Sequence, residues 1–254
     1  MIPVERHQQI LALVAERGVV SIAELTERLA VSHMTIRRDL QKLEEQGAVI
    51  AVSGGVQAAE RLAIEPSHQD KEGMFSQQKA AIGALAASLI PANSCIYLDA
   101  GTTTLALAKQ IGERSDLTVV TNDFVIAAYL LENSQCELIH TGGTVCRENR
   151  SCVGEAAAQA LRQLFIDLAF ISASSWSMRG LSTPSEDKVA VKKAIVDASR
   201  RRILLSDTSK YGKVATYLAL PIAVFDAIIT DNALPGVAQE AILQAGIALH
   251  ITDG

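Results

Sequence analysis

"VSIAELTERLAVSHMTIRRDLQKLEEQG", residues 20–47, holds two amphipathic segments separated by a tight connection. Ser21 and Glu24 make an S-x-x-E capping pattern, and Ile22, Leu25 and Leu29 then share one helical face that ends near Ala30. Ser32 is the N-cap candidate of the next helix, whose core stripe is Ile36, Leu40 and Leu43 and whose end is marked by Gly47. At about 100° per residue, Met34, Arg38 and Gln41 fall opposite that stripe, with Arg37 on its flank and His33 and Thr35 in the first turn. Two short helices joined in this way, the second presenting its N-terminal half, form the helix-turn-helix unit that enters the DNA major groove. The residue types suit that surface. An Arg fork binds guanine O6 and N7 or a phosphate, Gln pairs with adenine, and Met packs on a thymine methyl.

Residues 3–17, with Ile10, Leu13, Val14 and Arg17 at helical spacing and Gly18 as a stop, supply a first helix. "AVIAVSGGV", residues 48–56, reads as a short β-hairpin, the wing of a winged helix. Periodicity alone leaves a second reading open. Three amphipathic helices and a hairpin also build a protein-interaction domain with a solvated Arg pair, and residues 1–60 carry more acids than bases.

The 20–47 stretch resembles the helix-turn-helix signature of the DeoR-type transcriptional regulators, whose third helix carries a T-I-R-R-D-L run at this spacing. The resemblance implies that Arg37 and Arg38, with Thr35, meet double-stranded DNA. Ser32, His33, Met34 and Gln41 complete the candidate surface. One departure stands out: the family continues with an R-x-H-G-G wing, whereas this chain has "AVSGG", with Ala51 and Ser53 in place of the Arg and His.

The chain has 254 residues, 49% hydrophobic and 20% charged, with a formal net charge of -5. That composition supports a folded, soluble protein and argues against nucleic-acid or membrane binding over the whole surface, while permitting a local basic patch. Cys95, Cys136, Cys146 and Cys152 form no C-x-x-C pair and no metal-ligand cluster with His, so they read as packing residues of a reduced compartment. No signal-peptide order or membrane span is apparent, which places the protein in the cytoplasm, and no metal or cofactor is expected.

Periodicity fades from residue 57 to 75, which predicts a winged helix-turn-helix domain over 1–57, a linker over 58–75 and a larger domain over 76–254. In the last, "CIYLD", "LTVVT", "CELIHT", "LAFISA", "RILLSD", "DAIITD" and "ALHIT" alternate with helical stretches, the pattern of an α/β fold with a parallel sheet covered on both faces. The turn "DAGTTTLALA", residues 99–108, offers Gly101 and the hydroxyls of Thr102, Thr103 and Thr104 at a strand's carboxyl end, where open α/β sheets take ligands. "TGGTVCRENR" adds Gly142, Gly143 and Arg147, and "SDTSKYGK" adds Lys210 as a cation for a phosphorylated ligand.

These runs also follow the DeoR-type pattern in order, and the family's C-terminal domain resembles ribose-5-phosphate isomerase and related sugar-phosphate enzymes. By that resemblance Asp99, Gly101, Thr102 and Thr103 hold the phosphate or neighbouring hydroxyls of an effector, and Asn122 and Lys210 complete the pocket. "SASSWSMRG", residues 172–180, departs from the family's G-A-x-G-I run, with Trp176 facing either pocket or core, and Asp123 replaces a small hydroxyl residue. The implied protein is a homo-oligomer, dimer or tetramer, that represses a carbohydrate or sugar-acid operon under control of a phosphorylated sugar or sugar acid. The rival is a sugar-phosphate isomerase-like enzyme with an added helix-turn-helix, for which Asp99, Glu186 or Asp187 would be the nominal base. No catalytic set is assigned.

Overall fold

The computed structural model describes residues 2–52 and 54–253. The N-terminal domain runs α1 (Pro3–Arg17), β1 (Val19–Ser21), α2 (Ile22–Leu29), α3 (His33–Glu45), β2 (Val49–Val52) and β3 (Gly55–Ala58). Ser21 Oγ accepts the Glu24 amide at 3.1 Å, so the helix starts where the sequence places it. The reciprocal half of the capping box is not made: the Glu24 carboxylate pairs with Arg17 and Arg28 instead. Ser32 Oγ accepts the Thr35 amide at 3.2 Å. At the far end of α3, Gly47 takes φ +72°, and the amides of Gly47 and Ala48 return to the carbonyls of Glu44 and Leu43. Ile10, Val14, Leu25, Ile36 and Leu43 form one buried core with Val49 and Val56 of the wing. β1 escapes a periodicity reading because it is only three residues long; it joins the wing as an antiparallel sheet of order β1-β3-β2.

Segment 58–75, read above as a linker, is fastened to the protein. β4 (Glu60–Arg61) lies in it, and α4 (His68–Glu72) is started by a capping box between Ser67 and Asp70. Beyond it come α5 (Ser76–Ser88), β5 (Cys95–Leu98), α6 (Thr102–Ala108), β6 (Thr118–Thr121), α7 (Phe124–Asn133) and β7 (Glu137–His140). A hairpin of β8 (Thr144–Cys146) and β9 (Ser151–Val153) follows, then α8 (Gly154–Arg162), β10 (Ile166–Ser172), β11 (Ser175–Ser177), β12 (Gly180–Thr183) and α9 (Glu186–Ala198). The chain closes with β13 (Ser199–Leu205), β14 (Lys213–Val214), β15 (Tyr217–Pro221), β16 (Ala227–Asp231), α10 (Gly236–Gln244) and β17 (Ala248–Thr252). β4 pairs in parallel with β14.

All seven apolar runs of the larger domain are strands of one parallel sheet, in the order β17-β16-β13-β10-β5-β6-β7. Alternate residues serve opposite faces: Ile96, Leu98, Leu168 and Phe170 pack with α5, α6 and α7, while Tyr97, Ala169 and Ile171 pack with α8, α9 and α10. The order runs outward in one direction from β5 and in the other from β10, so the switch point lies between these neighbours. Their carboxyl ends open a crevice there. β11, β12 and β15 form a separate antiparallel sheet that the sequence pattern did not reveal, because Ser, Gly and Pro interrupt its apolar alternation. No helix among the described residues is long and apolar enough to cross a membrane.

Gly83 sets how closely α5 approaches α6. A Cβ there would stand 2.7 Å from the carbonyl carbon of Ala106 and from the amide nitrogen of Leu107. Gly83→Ala is therefore expected to lower stability by about 1–3 kcal/mol, the usual range for overpacking. A denaturation midpoint equal to wild type would show that the two helices part without loss.

Candidate functional site

On α3, Ser32, His33, Met34, Arg37, Arg38 and Gln41 are exposed and Thr35 is half-buried under the Ser32 cap, so all seven sequence candidates share one outward surface. Gln41 Nε2 donates to Glu45 Oε1 at 3.2 Å, a contact it must give up to reach a base. What holds this surface in place was not anticipated. Asp39, next to Arg38 but on the inner face, is buried and bonded to Arg6 and to His7 Nε2 (3.0 Å) of α1. Burial pushes the Asp39 carboxyl up, but the Arg6 and His7 hydrogen bonds and charges pull it further down, below the ordinary carboxylate range. Ser53 lies outside the described residues.

The C-terminal end of α3 touches the larger domain. Glu44 Oε1 accepts the Ala51 amide at 3.2 Å and the Tyr211 hydroxyl at 3.3 Å, and Arg179 Nη1 donates to the Gln46 carbonyl at 3.3 Å. Burial raises the Glu44 pKa. Tyr211 stacks edge-on against Trp176 with ring centroids 4.9 Å apart. Trp176 itself is fully buried and donates to Ser206 Oγ at 3.0 Å, which settles its place: core, not pocket.

The switch-point crevice is narrow, with about 50 Å³ of free space. Of the sequence candidates, Asp99, Gly101, Thr102, Thr103, Asn122 and Lys210 line it. Two of these have their polar atoms committed. Asp99 Oδ2 accepts the amide (2.9 Å) and hydroxyl (3.0 Å) of Ser172 and the Lys192 ammonium, and the Tyr97 hydroxyl lies 3.3 Å from its Oδ1. Asn122 accepts from Tyr97 at 2.8 Å and donates to the Cys152 carbonyl at 2.8 Å. A carboxylate so engaged is a scaffold rather than a general base, and Glu186 and Asp187 are exposed outside the lining.

Four candidates fall outside the lining. Thr104 turns inward, its hydroxyl donating to the carbonyls of Asp99 (2.6 Å) and Gly101 (2.8 Å). Gly142 and Gly143 both take positive φ before β8; a Cβ on Gly143 would meet Ala157 Cβ at 2.9 Å, so Gly143 serves the packing of α8, while Gly142 has open space around it. Arg147 is exposed. The same loop nonetheless contributes Asn149 and Ser151 to the crevice. Ser151 is 1% exposed and its hydroxyl has no partner, an arrangement a ligand's oxygen would satisfy.

The cations came mostly from places that sequence reasoning passed over. Lys71 of α4 and Lys188 and Lys192 of α9 line the crevice with Lys210. Lys188 and Lys192 were legible as an i, i+4 pair on one helix face, but Lys71 sits in the segment read as a linker. Burial lowers the Lys210 pKa, offset in part by the nearby Asp207 charge, and brings Lys79 to about 8. The Glu65 carboxylate bridges Lys71 and Lys188; burial would raise it, but the two ammonium charges hold it at about 2.

The chain matches two family models: the DeoR-like helix-turn-helix domain over residues 6–61 and the DeoR C terminal sensor domain over residues 74–232. It belongs to the DeoR family of transcriptional regulators. It is 68% identical over 251 residues to an uncharacterized HTH-type transcriptional regulator, YgbI, of Escherichia coli K12, covering 99% of this chain and 98% of the relative. It is 31% identical to the glycerol-3-phosphate regulon repressor of the same organism, covering 97% and 98%. A ribose 5-phosphate isomerase from Methanocaldococcus jannaschii matches 54% of each chain at 15% identity and a TM-score of 0.40.

For this DeoR-family chain two measurements probe the site's supports. Arg6→Ala leaves Asp39 buried without its main partner, so the N-terminal domain should lose about 3–5 kcal/mol; an unchanged urea midpoint would remove that pair as the anchor of α3. Asp123 caps α7 through the amides of Val125 (2.7 Å) and Ile126 (3.1 Å) and accepts the Gly101 amide at 3.1 Å. Burial raises its pKa to about 6. The folded state then binds a proton that the unfolded chain, with its carboxyl near about 3.9, has released. This contribution to stability is complete below the unfolded value and lost as pH rises through about 6. Asp123→Asn should therefore make the slope of unfolding free energy against pH more positive between about pH 4 and 6, by up to about 1.4 kcal/mol per pH unit. Identical slopes would refute the shift.

Proposed function

We propose that the protein is a ligand-gated repressor of an operon for carbohydrate or sugar-acid use, with a phosphorylated sugar or sugar acid as effector. The observation that carries this reading is one crevice: four lysines and an unpartnered Ser151 hydroxyl gather at the switch point, next to the Lys210–Tyr211 turn that touches α3. Ammonium groups and hydroxyls suit a phosphate attached to a polyhydroxylated body. Support also comes from the relative named for glycerol-3-phosphate, itself a phosphorylated polyol.

On the DNA side, α3 lies in the major groove, with Arg37 and Arg38 on guanine edges or phosphates, Gln41 facing adenine and Met34 against thymine methyls. Ser32, His33 and Thr35 approach the backbone at the helix N-terminus. Each chain offers one such helix, so two or more copies read repeated half-sites, and sedimentation of the purified protein gives their number. Effector binding shifts the equilibrium between arrangements with different DNA affinity, and Tyr211 on Glu44 is a contact through which the crevice biases α3.

Three variants test this with a labelled fragment from upstream of the neighbouring operon, titrated by anisotropy with sugar phosphates and sugar acids. Arg38→Ala should weaken operator binding by about 1–3 kcal/mol without lowering the unfolding midpoint; wild-type affinity would take Arg38 off the DNA. Thr102→Val should shift the effector midpoint while leaving operator affinity intact, and an unmoved midpoint excludes that hydroxyl from the site. Ser151→Ala removes a buried group that has no partner, so stability should hold or rise while the effector response weakens. A loss of stability would mean that Ser151 serves the fold alone.

A further inference from the structure

Glu65 is an outlier in its own segment. Ala63, Ile64 and Pro66 around it are exposed, Ile64 to 84%, yet the Glu65 carboxylate is drawn into the crevice. There its two oxygens are shared out: Oε1 accepts from Lys71 Nζ and Oε2 from Lys188 Nζ, both at 2.6 Å. Lys71 is held from the other side by Asn149 Oδ1 at 3.0 Å, so its ammonium group keeps a partner whatever lies between it and Lys188. A two-oxygen anion bridging the buried Lys71 and the half-buried Lys188, beside an unpartnered Ser151 hydroxyl and Lys210, has the geometry of a bound ligand.

We propose that Lys71 and Lys188 are an anion subsite of the crevice, that Glu65 fills it as a built-in ligand, and that the anionic group of the effector binds there by displacing Glu65. This rests on the reading of the crevice as the effector site. The exchange favours a dianion. A phosphate brings two charges and three acceptor oxygens to Lys71, Lys188 and Lys210, whereas the Glu65 carboxylate brings one charge and returns to water when it leaves. Displacement also has a mechanical consequence. Glu65 is an inward contact of the stretch between β4, which is paired to β14 just past Lys210, and α4, so its release loosens that part of the chain joining the two domains while β4 and α4 keep their own backbone bonds. The effector then acts on the DNA-binding domain through the connecting segment as well as through Tyr211.

Inorganic phosphate is a sufficient probe. Calorimetric titration of the full-length protein should give saturable binding that tightens about tenfold or more in Glu65→Gln, because the competing charge is gone while the side chain keeps its shape. Lys188→Met should weaken phosphate binding in either background. In wild-type protein, phosphate should speed trypsin cleavage after the exposed Arg61, a measurement that needs no variant to fold. Equal phosphate affinity in wild type and Glu65→Gln, with cleavage indifferent to phosphate, overturns displacement and leaves the crevice as an anion site. No saturable phosphate binding in either protein overturns the crevice reading and the proposal together.

Discussion

The buried Asp99 carboxylate joins the two halves of the larger domain. It stands at the end of β5 and accepts the Ser172 amide and hydroxyl from the end of β10, while Lys192 of α9 supplies the balancing charge. These strands are the neighbours at which chain order reverses, so nothing in the connectivity itself fixes how their carboxyl ends meet. The ion pair does. A buried pair of this kind adds little net stability beyond what an apolar pair would, but removing one partner is strongly destabilising because the other is left as an uncompensated charge. The floor of the crevice is thereby rigid, and the groups left free to recognise a ligand are those around it.

That rigidity gives meaning to the contacts at the other end of the Lys210 turn. Tyr211 follows Lys210 directly, packs edge-on against the buried Trp176 and donates to Glu44 near the end of α3. In the function proposed above, a displacement at Lys210 is passed by the close-packed Trp176–Tyr211 pair to the hydrogen bond on α3. The exposed residues Ser32, His33, Met34, Arg37 and Arg38 lie toward its opposite end, and Asp39, midway along the helix, pins it to Arg6 and His7. The helix is thus anchored to its own domain near the middle and touched by the sensor domain near its C-terminus. In the function proposed above, a small tilt about that anchor moves the DNA-facing residues.

Charge placement follows the same economy. The chain carries a net charge of -5, yet it gathers cations at the exposed Arg37–Arg38 pair and among the lysines of the crevice. Both receive phosphate-bearing partners in the function proposed here, and both are made from a few residues on otherwise acidic surroundings. The acidic remainder weakens non-specific attraction to DNA, so affinity depends on the docked helix rather than on overall charge.

The amino-acid order alone determined the elements whose physics is local. Caps at Ser21 and Ser32, the stop at Gly47 and the apolar periods of α2 and α3 specify the helix-turn-helix, and seven continuous apolar runs specify the parallel sheet. The loop residues Gly101, Thr102 and Thr103 were legible too, because a strand-to-helix turn places them at a sheet's carboxyl edge. Only the tertiary structure decided what fills the space around that edge. Lys71, Glu65, Ser151 and Lys188 come from a connecting segment, a hairpin and a helix far apart in the chain, and no sequence period ties them together. It also turned Thr104 inward and took Gly142, Gly143 and Arg147 out of the site, since a hydroxyl or a glycine looks the same in sequence whether it meets a ligand or a neighbouring carbonyl. Local hydrogen bonds and burial patterns act over a few residues and can be read along the chain; a binding site is a sum of long-range contacts, and the folded arrangement alone specifies which charges end up face to face.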